Sequence, residues 1–274
     1  MSKVNPKSSI FQLKAKVISN FNIKLNYFKL EVYAPLIAKY AQPGQFVNIR
    51  VNQTCYPLLR RPFSIHKVDD AKIEILYETK GEGTRILSQY KPHQTLDIIG
   101  PLGKGFTILD DRNLNILVGG GMGIAPLLFL ANRIANQKTK GLLDSQKIIL
   151  MGANTKKRIL CEEEFKRLGF KVKFSTDDGT KGFKGKVTNL LKIFLNNQPP
   201  KSMLSMAVYA CGPLPMLEEV CLICKKYKIF SEVSLETHLA CGLGMCLGCV
   251  IKTKSGHKRI CKDGPVFKTE EIIW

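Results

Sequence analysis

The sequence predicts a multi-module chain in which an antiparallel β-barrel is followed by a parallel α/β sheet and then by a small cysteine-rich module. A change of hydrophobic rhythm near Asn113 and the crowding of four cysteines towards the end of the chain predict this organisation. The predicted boundaries are 1–108 for the barrel domain, 109–229 for the α/β domain and 230–274 for the last module. With 274 residues, 45% of them hydrophobic, the chain is long enough to bury more than one core, which excludes disorder.

The first part of the chain alternates apolar and polar residues in short runs that are separated by Gly, Pro and Asn. Alternation with a period of two is typical of strands that bury one face. We therefore expect an antiparallel sheet or a small barrel. The runs are 11–17, 28–32, 46–51, 73–77 and 96–99.

From Asn113 onwards, short apolar runs alternate with longer segments of helical periodicity. The run 113–118 leads into a glycine-rich turn and then a helical pattern to Asn136. Further runs follow at 147–151, 172–175 and 206–211. Strands that alternate with helices in this way indicate a parallel sheet.

The charge and the apolar segments limit the classes of protein. There are 42 Lys and Arg against 22 Asp and Glu, and the net charge of +20 favours phosphorylated ligands, polyanions or an acidic partner. The segment 1–17 has no continuous apolar core of the kind a signal peptide needs, so we expect a cytoplasmic protein. The longest apolar stretch, 116–130, contains four glycines and is shorter than the roughly 20 residues that span a bilayer, so no membrane crossing is expected.

Four of the nine cysteines form the strongest motif. Their C-x4-C-x2-C spacing, with a fourth cysteine further on, is that of plant-type [2Fe-2S] sites, in which four thiolates hold two irons. Glycines between them allow the backbone to fold tightly over a cluster. A structural zinc site and buried free thiols are the alternatives. The four are Cys241, Cys246, Cys249 and Cys261.

Two other cysteines, Cys221 and Cys224, are three residues apart on a predicted helix, which places both thiols on one side of it. We expect them to be buried in the core, with a metal or redox role as the alternative.

A second motif joins an Arg-Arg-Pro-Phe-Ser strand to a glycine pair about 20 residues later. An arginine can pair with a phosphate, an aromatic ring can lie on a flat ring system, and glycines before a helix can approach a pyrophosphate. Alone, the first half would be only a strand with two surface arginines. The motif begins at Arg60, and its candidate residues are Arg61, Pro62, Phe63, Ser64, Tyr77, Gly81, Gly83 and Thr84.

A third motif, Gly-Gly-Gly-Met-Gly, follows a predicted strand and opens a helix, where backbone N–H groups can bind a dinucleotide. Glycines at such a turn can also serve packing alone. A Cys-Gly-Pro segment ends a later parallel strand, at the edge where ligands bind in such sheets. The candidate residues are Gly119, Gly120, Gly121, Gly123, Cys211, Gly212 and Pro213.

Lys156, Lys157 and Arg158 follow the second parallel strand, where charge near the adenine ribose helps to select between NAD and NADP. Three cations there would tolerate a 2′-phosphate.

Together these motifs resemble the ferredoxin-reductase superfamily. Within that superfamily, the segments 100–106, 176–179 with 185–188, and 234–236 with 240–246 are similar to the electron-transfer subunits of class 1B, NAD-dependent dihydroorotate dehydrogenases. The resemblance implies that Arg61 meets the phosphates of FAD, that Phe63 and Ser64 meet its isoalloxazine, and that the four clustered cysteines bind iron. The glycine-rich turn and the Cys-Gly-Pro segment would frame NAD.

The resemblance also implies a function and a partner. A separate catalytic subunit with FMN oxidises dihydroorotate, and electrons pass through the [2Fe-2S] cluster and FAD to NAD+, as a step of pyrimidine (UMP) biosynthesis. The chain would then be an oxidoreductase subunit without the dihydroorotate site, in a heterotetramer with two copies of each subunit.

Two alternatives stay open at this point. One is another flavin and iron-sulfur reductase of the same superfamily, such as a subunit that serves ferredoxin or sulfur or hydrogen metabolism. The other is a nucleic-acid-binding protein with a zinc site, which the charge of +20 suggests. That alternative predicts basic residues around the cysteines, but 230–274 has six basic and five acidic residues. We therefore expect no nucleic-acid partner.

Overall fold

The computed structural model describes residues 10–54, 56–137 and 146–274. The segment 1–9, part of the argument against a signal peptide, and Cys55 lie outside them. The described residues form two seven-stranded sheets and one two-stranded sheet. Their order along the chain confirms the predicted succession of β, α/β and cysteine-rich parts.

The first sheet is antiparallel and contains β1 (Phe11–Lys24), β2 (Tyr27–Tyr33), β3 (Phe46–Arg50), β4 (Arg61–Ser64), β5 (Lys67–Asp69), β6 (Lys72–Glu78) and β7 (Thr95–Leu102). The strands are hydrogen-bonded in the order β4-β3-β7-β1-β2-β6-β5. β4, at one end, contacts β6, the second strand from the other end, so the sheet curls into a partly closed barrel.

The alternating sequence explains why these segments are strands. In β1, Ala15 and Val17 are buried while Lys14 and Lys16 point to solvent. Two short helices, α1 (Pro35–Tyr40) and α2 (Glu82–Ser88), connect the strands.

The second sheet contains β8 (Leu114–Gly120), β9 (Gln146–Ala153), β10 (Lys171–Thr176), β11 (Phe183–Lys184), β12 (Met206–Cys211), β13 (Phe230–Ser234) and β16 (Val266–Lys268). The spatial order is β11-β10-β9-β8-β12-β13-β16, and all pairs are parallel except the last. The chain leaves β8 towards β9 on one side and later returns to β12 on the other. Ligands of open parallel sheets bind at the carboxyl ends of the strands around such a point.

Four helices connect these strands: α3 (Ile124–Ala135), α4 (Glu162–Arg167), α5 (Val187–Asn196) and α6 (Leu214–Tyr227). The first, α3, is buried on almost every side because it packs on β8 and β12 and also contacts β5 and β6 of the barrel. Its Phe129 belongs to the barrel core. No helix among the described residues is long and apolar enough to cross a membrane.

The last part of the chain forms β14 (Val250–Thr253), β15 (Gly256–Arg259) and α7 (Ile260–Asp263) before it reaches β16. The second sheet therefore includes β13 and β16, which lie beyond the predicted boundary at residue 229. The cysteine-bearing segment is thus a long insertion between two neighbouring strands of that sheet. The two domain boundaries themselves, at 108/109 and 229/230, stay predictions.

Polar contacts join the barrel to the α/β part. His66, which is fully buried, has its Nδ1 2.6 Å from the carbonyl oxygen of Ala125 at the start of α3. Its Nε2 faces Glu74 at 3.6 Å and the Cys161 thiol at 3.8 Å. Lys29 of β2 bridges Glu74 and Glu164 of α4. These contacts fix the start of α3 against the barrel.

Candidate functional site

Three connected cavities lie where the barrel, the second sheet and the cysteine segment meet. The central cavity has a volume of about 280 Å³, the turn cavity about 230 Å³ and the outer cavity about 370 Å³. Met122 and Glu236 line both the central and the turn cavities. Gly120, Gly121 and Pro213 line both the turn and the outer cavities. The three cavities therefore form one continuous cleft.

Residues of the Arg-Arg-Pro-Phe-Ser strand form one wall of the central cavity. Pro62, Phe63, Ser64 and Tyr77 all line it. The rings of Phe63 and Tyr77 pack edge to face with centroids 5.7 Å apart. Burial raises the pKa of Tyr77 above its ordinary value, although its hydroxyl donates a hydrogen bond to Asn20 Oδ1 at 3.0 Å. The wall is aromatic and uncharged, which suits a flavin ring.

The two adjacent arginines have different surroundings. Arg60 donates to the Asp97 carboxylate at 2.8 Å and to the Asp97 carbonyl at 2.9 Å. Burial opposes ionisation of Asp97, but the hydrogen bonds and the charge of Arg60 hold the pKa of this carboxyl below its ordinary value. Arg61 forms no ion pair among the described residues, so its guanidinium is available to bind an external anion.

The glycine pair of this motif lies beside Arg61. A Cβ atom on Gly83 would come within 2.7 Å of Arg61 Nε, so only glycine lets this arginine lie against α2. The hydroxyl of Thr84 accepts hydrogen bonds from the backbone N–H groups of Lys80 and Gly81 and caps the helix. Arg61, Gly81, Gly83 and Thr84 thus lie together. None of them lines the three cavities, but Arg61 precedes Pro62 and Gly81 follows Lys80, which both line the central one.

In the glycine-rich turn, some of the predicted residues are packed against the protein interior and others line the turn cavity. A Cβ on Gly123 would lie 2.1 Å from the Cys211 carbonyl oxygen, and Gly119 and Cys211 are buried behind the turn. Gly121 has φ +55 and open space around its Cα. Gly120, Gly121, Gly123, Gly212 and Pro213 line the turn cavity. The predicted residues therefore come together, five at the cavity and two behind it.

Glu236, to which no sequence motif assigns a role, lies where the central and turn cavities join. Removal of water from around its carboxyl raises the pKa of Glu236, and the charge of Lys80 opposes this. Its position just after β13, at the carboxyl edge of the sheet, is the sequence signal that could have found it.

The three cations after β9 do not act together. Lys156, Lys157 and Arg158 form a short 3-10 turn. Only Arg158 lines one of the three cavities, and it lies 3.4 Å from Glu78 and donates to the Tyr27 hydroxyl. Lys156 and Lys157 therefore lie outside the linings of these cavities, and their tolerance of a 2′-phosphate stays a prediction.

The four clustered cysteines are arranged as two pairs. Cys249 and Cys261 are buried with their sulfurs 3.3 Å apart. Cys241, which is half-buried, lies with the exposed Cys246 at the surface. Within the described ranges, no group of three or more His, Cys, Asp and Glu side chains is arranged to hold a single metal ion. Two thiol pairs are the donor set that a cluster of two irons requires.

In the loop between Cys241 and Cys246, backbone N–H groups point towards the sulfur of Cys241. The N–H groups of Leu243 and Cys246 point at Cys241 Sγ from 3.4 and 3.5 Å. Burial opposes ionisation, but these N–H groups lower the pKa of Cys241 to about 6. Gly242 has φ +70, and its Cα lies against Asn48 of β3, whose amide donates to the Cys241 carbonyl at 3.4 Å. The loop therefore rests on the barrel sheet.

The two cysteines of α6 are buried, as predicted. Burial raises the pKa of each thiol to about 12, so Cys221 and Cys224 are neutral side chains of the core.

A curled barrel with an aromatic cavity, a parallel sheet with a glycine-rich turn and a segment with four paired thiols define a class: flavin- and iron-sulfur-dependent NAD oxidoreductases of the ferredoxin-reductase type. Family models agree, since an oxidoreductase NAD-binding domain matches residues 117–222 and the iron-sulfur cluster binding domain of dihydroorotate dehydrogenase B matches 236–273. The dihydroorotate dehydrogenase B (NAD(+)) electron transfer subunit of Desulforamulus reducens is 38% identical over 95% of this chain and 97% of its own. This chain belongs to that family of electron transfer subunits.

Other comparisons agree. The electron transfer subunit of the same name from Caldanaerobacter subterraneus subsp. tengcongensis is 37% identical over 96% of this chain and 99% of its own. The structure of an NADH-dependent reduced ferredoxin-NADP oxidoreductase superposes with a TM-score of 0.80 at 28% identity, covering 95% of this chain and 90% of that one. A ferredoxin reductase of carbazole 1,9a-dioxygenase shares the fold, with a TM-score of 0.66 at 18% identity over 82% of this chain and 68% of that one.

Proposed function

We propose that this chain relays electrons from the FMN of a dihydroorotate dehydrogenase catalytic subunit to NAD+, in pyrimidine biosynthesis. The observation that carries the proposal is the continuous cleft: its central cavity lies between the glycine-rich turn and the segment that leads into the cysteine loop. A group bound there has a dinucleotide site on one side and a cluster site on the other.

The residues around the central cavity fit FAD. Phe63 and Tyr77 supply an aromatic wall, and Ser64 adds a hydroxyl that can bond a ring nitrogen. The free charge of Arg61 and the open backbone at Gly81 suit the phosphates beside it. Pro62, Gly83 and Thr84 complete this proposed site. Bound FAD supplies the conversion between single electrons and a hydride.

The four clustered thiols fit a [2Fe-2S] cluster. Cys241 and Cys246 would hold one iron and Cys249 and Cys261 the other, as their pairing in the structure suggests. The N–H groups that point at Cys241 would stabilise negative charge on sulfur, which is one way a protein sets a reduction potential. When it is bound, the cluster would carry electrons one at a time.

The glycine-rich turn and Gly212-Pro213 would hold NAD with its pyrophosphate at the amino end of α3. The nicotinamide half then extends past Met122 and Glu236 into the space next to the central cavity. Glu236 and Lys80 line this junction, so they would orient the nicotinamide and exclude water from the gap.

The catalytic partner would dock on the cysteine loop. Three apolar side chains there are exposed, at 36% for Leu243, 80% for Met245 and 61% for Leu247, and Cys246 is exposed among them. We call these three residues the cluster face. An apolar patch beside a one-electron carrier is what a permanent electron-transfer partner needs. We propose a heterotetramer with two copies of each subunit.

We also place the protein in the cytoplasm. The eight described cysteines are free thiols, as expected in a reducing compartment.

The test is a spectrum of anaerobically purified protein, with iron, zinc and flavin quantified. We expect flavin bands over a broad iron-sulfur absorption, about two irons per chain and bleaching by NADH. A colourless protein with zinc would overturn the cofactor assignment. Dihydroorotate should then reduce NAD+ only when the FMN-containing catalytic subunit is added.

A second candidate function is favoured by the fold match to the NADH-dependent reduced ferredoxin-NADP oxidoreductase. In that case the chain would exchange electrons with a ferredoxin-type partner. Copurification from the native cell separates the two, because only the proposed function predicts an FMN-containing dihydroorotate dehydrogenase subunit in the complex. The zinc-dependent nucleic-acid alternative loses its basis, since residues 236–273 match an iron-sulfur domain.

A further inference from the structure

The outer cavity contains a carboxylate that the glycine motifs do not use. Asp177 comes directly after β10, and its backbone N–H donates to the Ala153 carbonyl at the end of β9. Its Oδ1 lies 3.2 Å from Lys186 Nζ, and both side chains line the cavity. Both are also partly exposed, at 39% and 72%, so a ligand can reach them.

The order of the three cavities determines which half of a bound dinucleotide lies next to Asp177 and Lys186. The turn cavity opens on the central cavity in one direction and on the outer cavity in the other. A dinucleotide with its pyrophosphate at Gly120 and Gly121 and its nicotinamide towards Phe63 therefore places its adenosine half in the outer cavity. This step rests on the proposed function.

The charge around the outer cavity is unfavourable for an additional phosphate. Among the residues that line it, Lys186 is the cation, while Asp177 and Glu219 are carboxylates. Glu219 is itself paired with Lys192. Lys156 and Lys157 are not among the residues that line the cavity.

We infer that Asp177 selects NAD(H) over NADP(H), by accepting hydrogen bonds from the adenosine ribose hydroxyls and by neutralising Lys186. A carboxylate accepts from a hydroxyl but repels a 2′-phosphate. The Lys186 ammonium would attract that phosphate, and the ion pair with Asp177 removes this attraction. One pair of opposite charges thus sets the preference.

The neighbouring carboxylate provides a matched control. Asp178 Oδ1 accepts from the Thr180 backbone N–H at 3.0 Å and from the Thr180 hydroxyl at 2.7 Å. Its hydrogen bonds therefore build the turn, and it does not line the outer cavity. Asp178→Asn makes the same chemical change one residue away.

The experiment compares ADP-ribose and 2′-phospho-ADP-ribose binding to the FAD-containing full chain by calorimetry, with flavin reduction by NADH and NADPH as a second readout. We expect the wild type to prefer ADP-ribose. Asp177→Asn should shift the ratio of the two affinities towards the phosphorylated ligand by about ten- to hundredfold. In Asp177→Asn/Lys186→Met the increase in affinity for 2′-phospho-ADP-ribose that Asp177→Asn produces should disappear. Asp178→Asn should keep the wild-type ratio.

A ratio that is unchanged in Asp177→Asn, or an equal loss for both ligands, would overturn the selection. Binding of neither ligand by the wild type would overturn the nucleotide site as well. Neither measurement needs the catalytic subunit. If the proposed partner or dihydroorotate oxidation is wrong, only the assay with the added catalytic subunit fails, and the test of Asp177 is unaffected.

Discussion

At the scale of single residues, neighbouring side chains of the same type have separate tasks. Arg60 is held against Asp97 inside the barrel, whereas Arg61 faces the glycine pair without an ion-pair partner among the described residues. Asp177 lines the outer cavity, whereas Asp178 closes a turn. The difference lies in which direction each side chain leaves the backbone. A sequence motif that contains both residues cannot show this.

The arginine pair gives a direct prediction. In Arg61→Ala the loss of a charged hydrogen-bond donor should weaken FAD binding by about ten- to hundredfold with little change in stability. Arg60→Ala should keep FAD but lower the free energy of unfolding by about 2 kcal/mol, because the buried Asp97 carboxylate loses its closest cation and keeps only Gln12 and the exposed Lys14 as partners. Flavin retained after desalting and urea denaturation measure the two effects. Loss of flavin in Arg60→Ala alone would reverse the assignment.

The cysteines allow a similar comparison. Cys261→Ala should lower the iron content well below about two per chain, because one iron loses a ligand. Flavin content and bleaching of the flavin by NADH should persist, since Cys261 does not line the central cavity. Cys224→Ala, at a buried cysteine of α6, is the control and should retain iron. Full iron content in Cys261→Ala would exclude this cysteine as a ligand.

At the scale of elements, local sequence predicted most of the architecture. The strands of the barrel and β8, β9, β10 and β12 follow from alternation and from short apolar runs, because a strand must bury one face or both. The membership of β13 and β16 in the second sheet did not follow. These strands lie on either side of the cysteine segment, and only the folded chain shows that they pair.

The same limit applies to the site. The glycine turn, Phe63, Ser64 and the four cysteines belong to local motifs with recognisable spacing, and the structure brings each set together. Glu236 and Asp177 follow separate strands without any such spacing. Their importance depends on the parallel sheet, which places the carboxyl ends of distant strands at one edge.

The packing of α3 against the barrel leads to a pH-dependent prediction. Burial lowers the pKa of His66 to about 4, although its bond to the Ala125 carbonyl opposes the shift. Above pH 6.5 this histidine is neutral in both the folded and the unfolded chain. Between pH 6.5 and 4 the unfolded chain binds a proton that the folded chain does not, so stability falls as the pH falls.

We therefore expect the free energy of unfolding of the wild type to fall by about 2 kcal/mol more than that of His66→Gln between pH 7 and pH 5. Glutamine can still donate to the Ala125 carbonyl but does not titrate. Urea denaturation at the two pH values measures the difference. His257→Gln, at an exposed histidine, should behave like the wild type. Equal pH dependence in the wild type and His66→Gln would mean that His66 is not the responsible group.

At the scale of the whole molecule, the three modules stand in the order that an electron relay needs. The second sheet presents a nucleotide site at its carboxyl edge, the barrel closes the central cavity, and the cysteine segment inserted between β13 and β16 rests on β3. Because that segment is an insertion in the sheet that binds the nucleotide, its distance from the nucleotide site is fixed by the same strands. The cluster face is exposed and lines none of the three cavities.

This arrangement predicts that docking can be lost without loss of the cofactors. Met245→Asp/Leu247→Asp places two charges in the cluster face, where burial of both apolar side chains would contribute about 3 kcal/mol or more to association. We expect dihydroorotate-dependent NAD+ reduction by the reconstituted complex to fall by about a hundredfold, with dissociation on size-exclusion chromatography. Iron content and NADH bleaching of the flavin should not change. Leu204→Asp, at a leucine 71% exposed at the opposite edge of the second sheet, should leave the complex intact. A stable, active complex of the double variant would place the partner elsewhere on the molecule.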